Sequence, residues 1–264
     1  MVKAQIFKKD GTKETWAYSY DALGRRIGKG RLKDGEVPEG LEEETGFVWD
    51  GSHLLQEIQP DGRYTYIYTN PDSYEPLAQV HNWTNEEGES SQQTHYFHCD
   101  QIGIPREMTD KDGNLLWFGN YTGWGRLKEE TKVTDSTYQP FRLQNQYCDR
   151  ETGLHYNFFR YYEPDAGRFV NQDPIGLLGG ENLYAFAPNV KGWVDPLGLW
   201  AFIPALLSGL LVAGRVAISL LSKVGKMGYK AAKQCVGKCK NLGKPKSPDK
   251  LLKNGKVDHK DIQA

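Results

Sequence analysis

The sequence predicts a mainly β chain that ends in a tail of different composition, and three observations carry that prediction. First, the 264 residues include 29 Gly, 15 Tyr and 7 Trp. Aromatic side chains suit pleated surfaces and glycine suits corners with positive φ, so many short strands joined by turns are favoured. Second, Asp-Gly steps at Asp10-Gly11, Asp61-Gly62 and Asp112-Gly113 each run into an aromatic or β-branched segment: KETWAYSY, RYTYIYT and NLLWFGNY. Asp-Gly is a preferred tight-turn pair and these segments fit its outgoing strand, so three hairpins are expected. Third, from Trp200 onward thirteen Lys or Arg stand against only Asp249, Asp258 and Asp261, leaving the tail at about +10 and the preceding body at about −11. A net charge of −1 conceals this asymmetry, which argues for two parts with mutual attraction or different partners.

Taken in order, residues 1–143 read as a region of β-hairpins. The polar stretches Asp34 to Glu44 and Asn85 to Gln93 lack hydrophobic periodicity and read as exposed loops. The opening MVKAQIFKKDG lacks the apolar core of a secretory signal, so nothing in it suggests Sec-type export. Cys99, Cys148, Cys235 and Cys239 are too scattered to form a disulfide framework, and they are expected to be reduced. Within HYFHCD, the side chains of His95, His98, Cys99 and Asp100 have metal-ligand chemistry. The ordinary reading of such a run is a turn held by polar side chains, so no metal is assigned.

Two short segments of this region, Tyr20-Asp21-Ala22-Leu23-Gly24-Arg25 and its variant Tyr121-Thr122-Gly123-Trp124-Gly125-Arg126, have the form of YD repeats. In such repeats the Tyr packs on the sheet while Asp and Gly shape the turn, an architectural task. Residues 144–199 read QNQYCDRETGLHYNFFRYYEPDAGRF, then NQDPIGLLGGENLYAFAPNVKGWVDPLGL after Val170. This block closely resembles the C-terminal end of the core of Rhs (rearrangement hotspot) proteins, the bacterial YD-repeat family whose β-shell encloses a polymorphic toxin. The segment HYFHCDQIGIPREMTDKDGNLLW, with His98 and Asp100 in an HxD arrangement, resembles the stretch ahead of that core terminus. The implied fold is a YD-repeat hairpin sheet forming the end of an Rhs shell.

That resemblance also implies a self-cleaving site of aspartyl-protease type that cuts after DPxGL, here between Leu199 and Trp200. By motif position its residues are Asp173 of QDPIG, Asp195 of VDPLG and Arg160 of RYYEP. Paired carboxylates suit the chemistry, because neighbouring like charges titrate apart and one can activate water while the other donates a proton. Arg160 is suited to orient a carboxylate or stabilise an oxyanion. Read from the residues alone, Asp173-Pro174 and Asp195-Pro196 are turn starters, and both readings stand at this point. His155 in an aromatic strand reads as a packed core residue, and Arg168 as either a second charge near the pair or an exposed side chain. The sequence holds no phosphate loop, dinucleotide fingerprint or HExxH, and no cofactor is expected.

Residues 200–264 form the variable tail. The apolar stretch Ala201 to Leu221 has about the length needed to cross a bilayer, but Arg215 interrupts it. A helix buried in the shell or lying on a membrane is favoured over a spanning one. The Lys-rich remainder reads as a solvated helix and loop, or as a disordered basic linker, with the charge to bind anionic lipid or nucleic acid. Cys235 and Cys239 lack two further ligands for zinc. By resemblance the tail is a toxin or the start of one, with a cognate immunity protein, a secretion apparatus of type VI and the remainder of the shell as partners. The implied route runs from the bacterial cytoplasm into a target cell. The alternative is a non-enzymatic YD-repeat structural or surface-interaction module, or a carrier for a membrane-active tail.

Overall fold

The computed structural model describes residues 1–33, 41–85, 87–134, 137–190, 192–199, 201, 252–253 and 256–257. Eleven strands form one antiparallel meander: β1 (Lys3–Phe7), β2 (Lys13–Tyr20), β3 (Arg26–Leu32), β4 (Leu41–Asp50), β5 (His53–Gln59), β6 (Gly62–Tyr68), β7 (Pro76–Thr84), β8 (Ser90–Cys99), β9 (Pro105–Thr109), β10 (Leu115–Tyr121) and β11 (Leu127–Lys132). Each strand pairs with its neighbours in sequence, so the sheet grows by hairpins alone. Period-two burial explains why: in β6 Tyr64 and Tyr66 face inward while Arg63 and Ile67 face out, and in β8 His95 and Phe97 are buried beside exposed Tyr96 and His98. The Glu- and Lys-rich β11 ends the sheet, a composition that discourages pairing with a foreign strand.

One turn recurs through the meander. At Lys8–Thr12, Asp21–Arg25, Asn85–Glu89, Asp100–Ile104, Asp110–Asn114 and Thr122–Arg126 the first residue donates its N–H to the carbonyl of the fifth, and the fourth, always Gly, donates to the carbonyl of the first. Those glycines have φ between 79° and 84°, the left-handed position of a three-residue hairpin loop. Where the first residue is Asp or Asn, its Oδ1 also takes the N–H of the fifth. Asp100 is thus the organiser of a turn, while His95 and His98 point to opposite faces of β8. Among the described residues no three His, Cys, Asp or Glu side chains are grouped to hold a metal.

The polar stretches depart from the expected loops. Leu41 to Glu44 belongs to β4 and Ser90 to Gln93 to β8, because each continues the ladder of a partner strand that runs equally far. A two-stranded ladder pairs the inward-facing backbone groups and leaves the outward ones to water, so polar side chains facing water on either side do not end it. Residues 34–40 lie outside the described ones. The Asp61-Gly62 turn is shifted by one: Gln59 pairs with Gly62, placing Pro60 and Asp61 at its centre.

A second sheet, β12 (Tyr147–Cys148), β13 (His155–Asn157), β14 (Arg160–Glu163) and β15 (Arg168–Phe169), packs on the inner face of the first. Phe47, Leu54, Tyr64, Tyr66, Phe97, Met108 and Trp117 from the meander share a core with Phe141, Tyr147, Tyr156 and Tyr161. Burying each such ring contributes about 1.5–3 kcal/mol. Two polar knots lock the layers together. Arg26, fully buried, donates to Asp149 at 2.6 Å with its guanidinium 4.3 Å from the Tyr156 ring, and Lys29 pairs with Asp149 and Glu151 at 3.2 and 2.9 Å. Glu57, also fully buried, accepts the hydroxyls of Tyr66, Tyr138 and Tyr147 at 2.9, 2.7 and 2.7 Å. Burial and then the Glu57 charge push those three phenols well up, so all remain protonated donors.

The chain divides into two compact units, Met1–Pro204 and Ala205–Ala264. In the second the described residues are a hairpin of β16 (Leu252–Lys253) and β17 (Lys256–Val257). Apart from Ala201, the apolar helix expected over 201–221 lies outside the described residues, as does the solvated helix expected after it. Among the described residues no helix is long and apolar enough to cross a membrane.

Candidate functional site

The site is assembled by one hairpin and two Asp-Pro turns. Asn157 and Arg160 flank the two-residue turn between β13 and β14, where Phe158 adopts a φ of 55°. Glycine usually fills such a position, and the cost of a phenyl-bearing residue there is met by packing against Trp49 and Phe159. The turn aims Arg160 inward at 1% exposure, its guanidinium 3.7 Å above the Phe169 ring.

Asp173 and Asp195 converge on that guanidinium. Arg160 Nη2 lies 3.2 Å from Asp173 Oδ2 and 3.2 Å from Asp195 Oδ2, and both carboxylates are buried, at 7% and 2% exposure. Each spends its other oxygen on its own turn: Asp173 Oδ1 accepts the Ile175 N–H at 3.0 Å, and Asp195 Oδ1 accepts the Leu199 N–H at 3.0 Å. The turn-starter reading and the site reading are therefore both realised, one on each carboxylate oxygen. Arg160 also donates from Nε to the Gly198 carbonyl and from Nη1 to the Leu183 carbonyl. Burial lowers the Arg160 pKa, opposed by Asp195 and then Asp173, and a guanidinium so paired stays charged.

Leu199, the residue expected before the cut, is buried and held through its N–H by Asp195. Trp200 lies outside the described residues. The Leu199 carbonyl oxygen and Asp173 Oδ2 both crowd Gly179: a Cβ built there would overlap Asp173 Oδ2 and lie 2.9 Å from the Leu199 oxygen. Three groups escaped the sequence reading. Asn157, fully buried, donates to the Asp195 carbonyl at 2.9 Å; Gly198, at φ 64°, lets the chain pass tight against Asn157 and Arg160; and Gly179 makes room between carboxylate and carbonyl. The glycines of GLLGG and DPLGL were the signal for the last two. His155 packs as expected, buried with Nδ1 against Gln146 Oε1 at 2.9 Å, whereas Arg168 is exposed.

Comparison with known proteins places the chain in a family. The family described as RHS protein matches residues 94–131, the stretch from β8 to β11. Double-stranded DNA deaminase toxin A of Burkholderia cenocepacia is 43% identical over 193 residues, covering 69% of this chain and 14% of the relative. Toxin protein Tse5 of Pseudomonas aeruginosa is 35% identical over 233 residues, covering 79% of this chain and 17% of the relative. The chain thus spans under a fifth of either relative. A crystal structure of TcdB2-TccC3-Cdc42 superposes with a TM-score of 0.57 at 20% identity, over 75% of this chain and 10% of that one, a likeness of fold. The chain belongs to the Rhs YD-repeat family of polymorphic toxins.

Proposed function

We propose that the chain is the C-terminal part of an Rhs-type toxin that cuts itself between Leu199 and Trp200 and so frees the basic tail. The observation that carries this reading is the meeting of two buried carboxylates on one Arg160 nitrogen, with the Leu199 N–H bound to one, and with the other carboxylate and the Leu199 carbonyl both crowding Gly179. Asp195, which accepts from Arg160 and from the Leu199 N–H, takes a proton from the attacking water in the proposed step. In the same step Asp173 serves as the acid, giving a proton to the Leu199 oxygen as water adds to the carbonyl carbon. When the tetrahedral intermediate collapses, Asp173 regains its proton, Asp195 passes its own to the Trp200 nitrogen, and the C–N bond breaks. The products are a carboxylate at Leu199 and a free amine at Trp200. Arg160 holds the two acids at fixed separation throughout.

The freed tail, in this reading, is the agent delivered in competition between bacteria, its charge of about +10 suited to nucleic acid or an anionic membrane. A cognate immunity protein and an export apparatus of type VI belong to the same proposal. One observation favours the non-enzymatic alternative: each Asp already has a structural task in its turn.

Intact mass of the purified chain beside Asp173→Asn and Asp195→Asn separates the two. The expected result is a break between Leu199 and Trp200 in the wild type alone. An intact wild-type chain would leave the Asp-Pro turns with structure as their only task, and a break in all three proteins would assign the cut to another group.

A further inference from the structure

We infer that Gly179 is a positioning residue of the cleavage site, its missing side chain being what lets the Asp173 carboxylate and the Leu199 carbonyl share the space over its Cα; the inference rests on the cleavage reading above. The usual reasons for glycine are absent at this position. Its backbone is outside the left-handed region, unlike its neighbours Gly176 at φ 60° and Gly180 at φ 128°, so an L side chain is conformationally permitted. Nor does core packing exclude one, since the short 3₁₀ turn Gly176–Gly179 buries no residue and Leu177 and Leu178 are 75% and 77% exposed.

What fills the space over the Gly179 Cα is the site itself. A Cβ there would overlap Asp173 Oδ2, lie 3.0 Å from Asp173 Cγ and lie 2.9 Å from the Leu199 carbonyl oxygen. Asp173 has little freedom to retreat. Its backbone is tied on both sides, by its own N–H to the Leu183 carbonyl and by the Gly176 N–H to its carbonyl, and its Oδ1 is held by the Ile175 N–H. A methyl at position 179 is therefore accommodated by moving Oδ2 off its place on Arg160, and displacement by about 1 Å costs about 100-fold in rate.

The test follows cleavage after the full-length chain, purified in denaturant, is refolded by dilution across a range of pH. Gly179→Ala is compared with Gly123→Ala, a glycine with no atom near its Cβ position and no left-handed φ. Gly179→Ala is expected to slow cleavage about 100-fold and to displace the pH profile of what remains, because Asp173 no longer shares Arg160 with Asp195. Gly123→Ala is expected to match the wild type in both. Equal rates and profiles for Gly179→Ala and wild type would overturn the inference while leaving the cleavage reading intact, whereas an uncut wild type would overturn the reading first. A second measurement covers the case in which Gly179→Ala folds poorly. The drop in thermal midpoint it causes should vanish in the Asp173→Ala background, where the overlapping group is gone; a drop of equal size in both backgrounds would assign Gly179 to the turn alone.

Discussion

The turns of the meander and the turns of the terminal block use aspartate in the same local way and to different ends. In the meander, Asp21 gives Oδ1 to the N–H groups of Leu23 and Arg25 and Oδ2 to the Arg25 side chain, and Asp110 gives Oδ1 to Asp112 and Asn114 and Oδ2 to the Asn114 amide. Both oxygens are consumed within five residues at the surface. In the block, Asp173 and Asp195 give one oxygen to the turn and the other to a cation that arrives from a different strand, and both are buried. A turn motif becomes a site when burial and a distant partner claim its second oxygen. The difference cannot be seen in the Asp itself; it resides in Arg160 and in the strained hairpin that delivers it.

The sharpest way to break that contrast is to remove the shared cation. Arg160→Met leaves the two buried acids without the cation they share, and removing one partner of such a buried set costs about 3–5 kcal/mol. Chemical denaturation should show that loss, and the chain should no longer cut itself. Adding Asp173→Asn and Asp195→Asn to Arg160→Met should recover most of the stability and none of the cleavage, since replacing a whole buried ionic set is often close to neutral. A triple variant as unstable as Arg160→Met would show that the guanidinium supports the fold through its stacking on Phe169 and its bonds to backbone carbonyls, and not through the two acids.

Much of the meander was legible because its information is local. Alternating aromatics give the strands, and the Gly at the fourth place of each five-residue turn, as in YDALGR, CDQIG and TDKDGN, marks the corners more reliably than Asp-Gly steps did: the turn at Asp61-Gly62 centres on Pro60 and Asp61. What stayed hidden is non-local. Arg26 and Lys29 lie in GRRIGKGR, which reads as a solvated basic run, yet both are buried because Asp149, 123 residues beyond Arg26, comes to meet them. Glu57 looks like an ordinary polar strand position until three tyrosines converge on it. The candidate site was legible through resemblance over a long block, since Asp-Pro alone points only to a turn. No sequence period signals that Gly179 has two oxygens over its Cα.

Histidines sharpen the comparison in a second way. His98, on the outer face, is exposed and bonded to Thr109, whereas His155, in the block, is buried, and that burial, with Arg142 nearby, lowers its pKa from 6.5 to about 3. A depressed folded value means that the unfolded chain takes up a proton that the folded chain refuses. Stability is therefore full above about pH 6.5 and falls as pH drops toward about 3, with a slope of up to about 1.4 kcal/mol per pH unit from this group. His155→Gln keeps a donor for Gln146 and removes the titration. Unfolding curves at a series of pH values should show a shallower acid loss for His155→Gln than for wild type. Identical slopes for wild type and His155→Gln would place the acid sensitivity elsewhere.

The smallest effect belongs to the meander turns. Asp21→Ala deletes three bonds that all stay within Asp21–Arg25, while Gly24 still supplies the left-handed corner at φ 81°. Loss of a local cap costs about 1 kcal/mol, water replaces the bonds at this partly exposed position, and the strands on either side keep their ladders and their buried rings. Self-cleavage should proceed at the wild-type rate. The pairing with Asp173→Ala is what gives the measurement its force, since that substitution removes the same kind of cap from a turn and also removes the carboxylate aimed at Arg160. If Asp21→Ala impaired cleavage as severely as Asp173→Ala, the meander would be tuning the site through its overall geometry, and the division between turns that only shape the chain and turns that also face the reacting groups would fail.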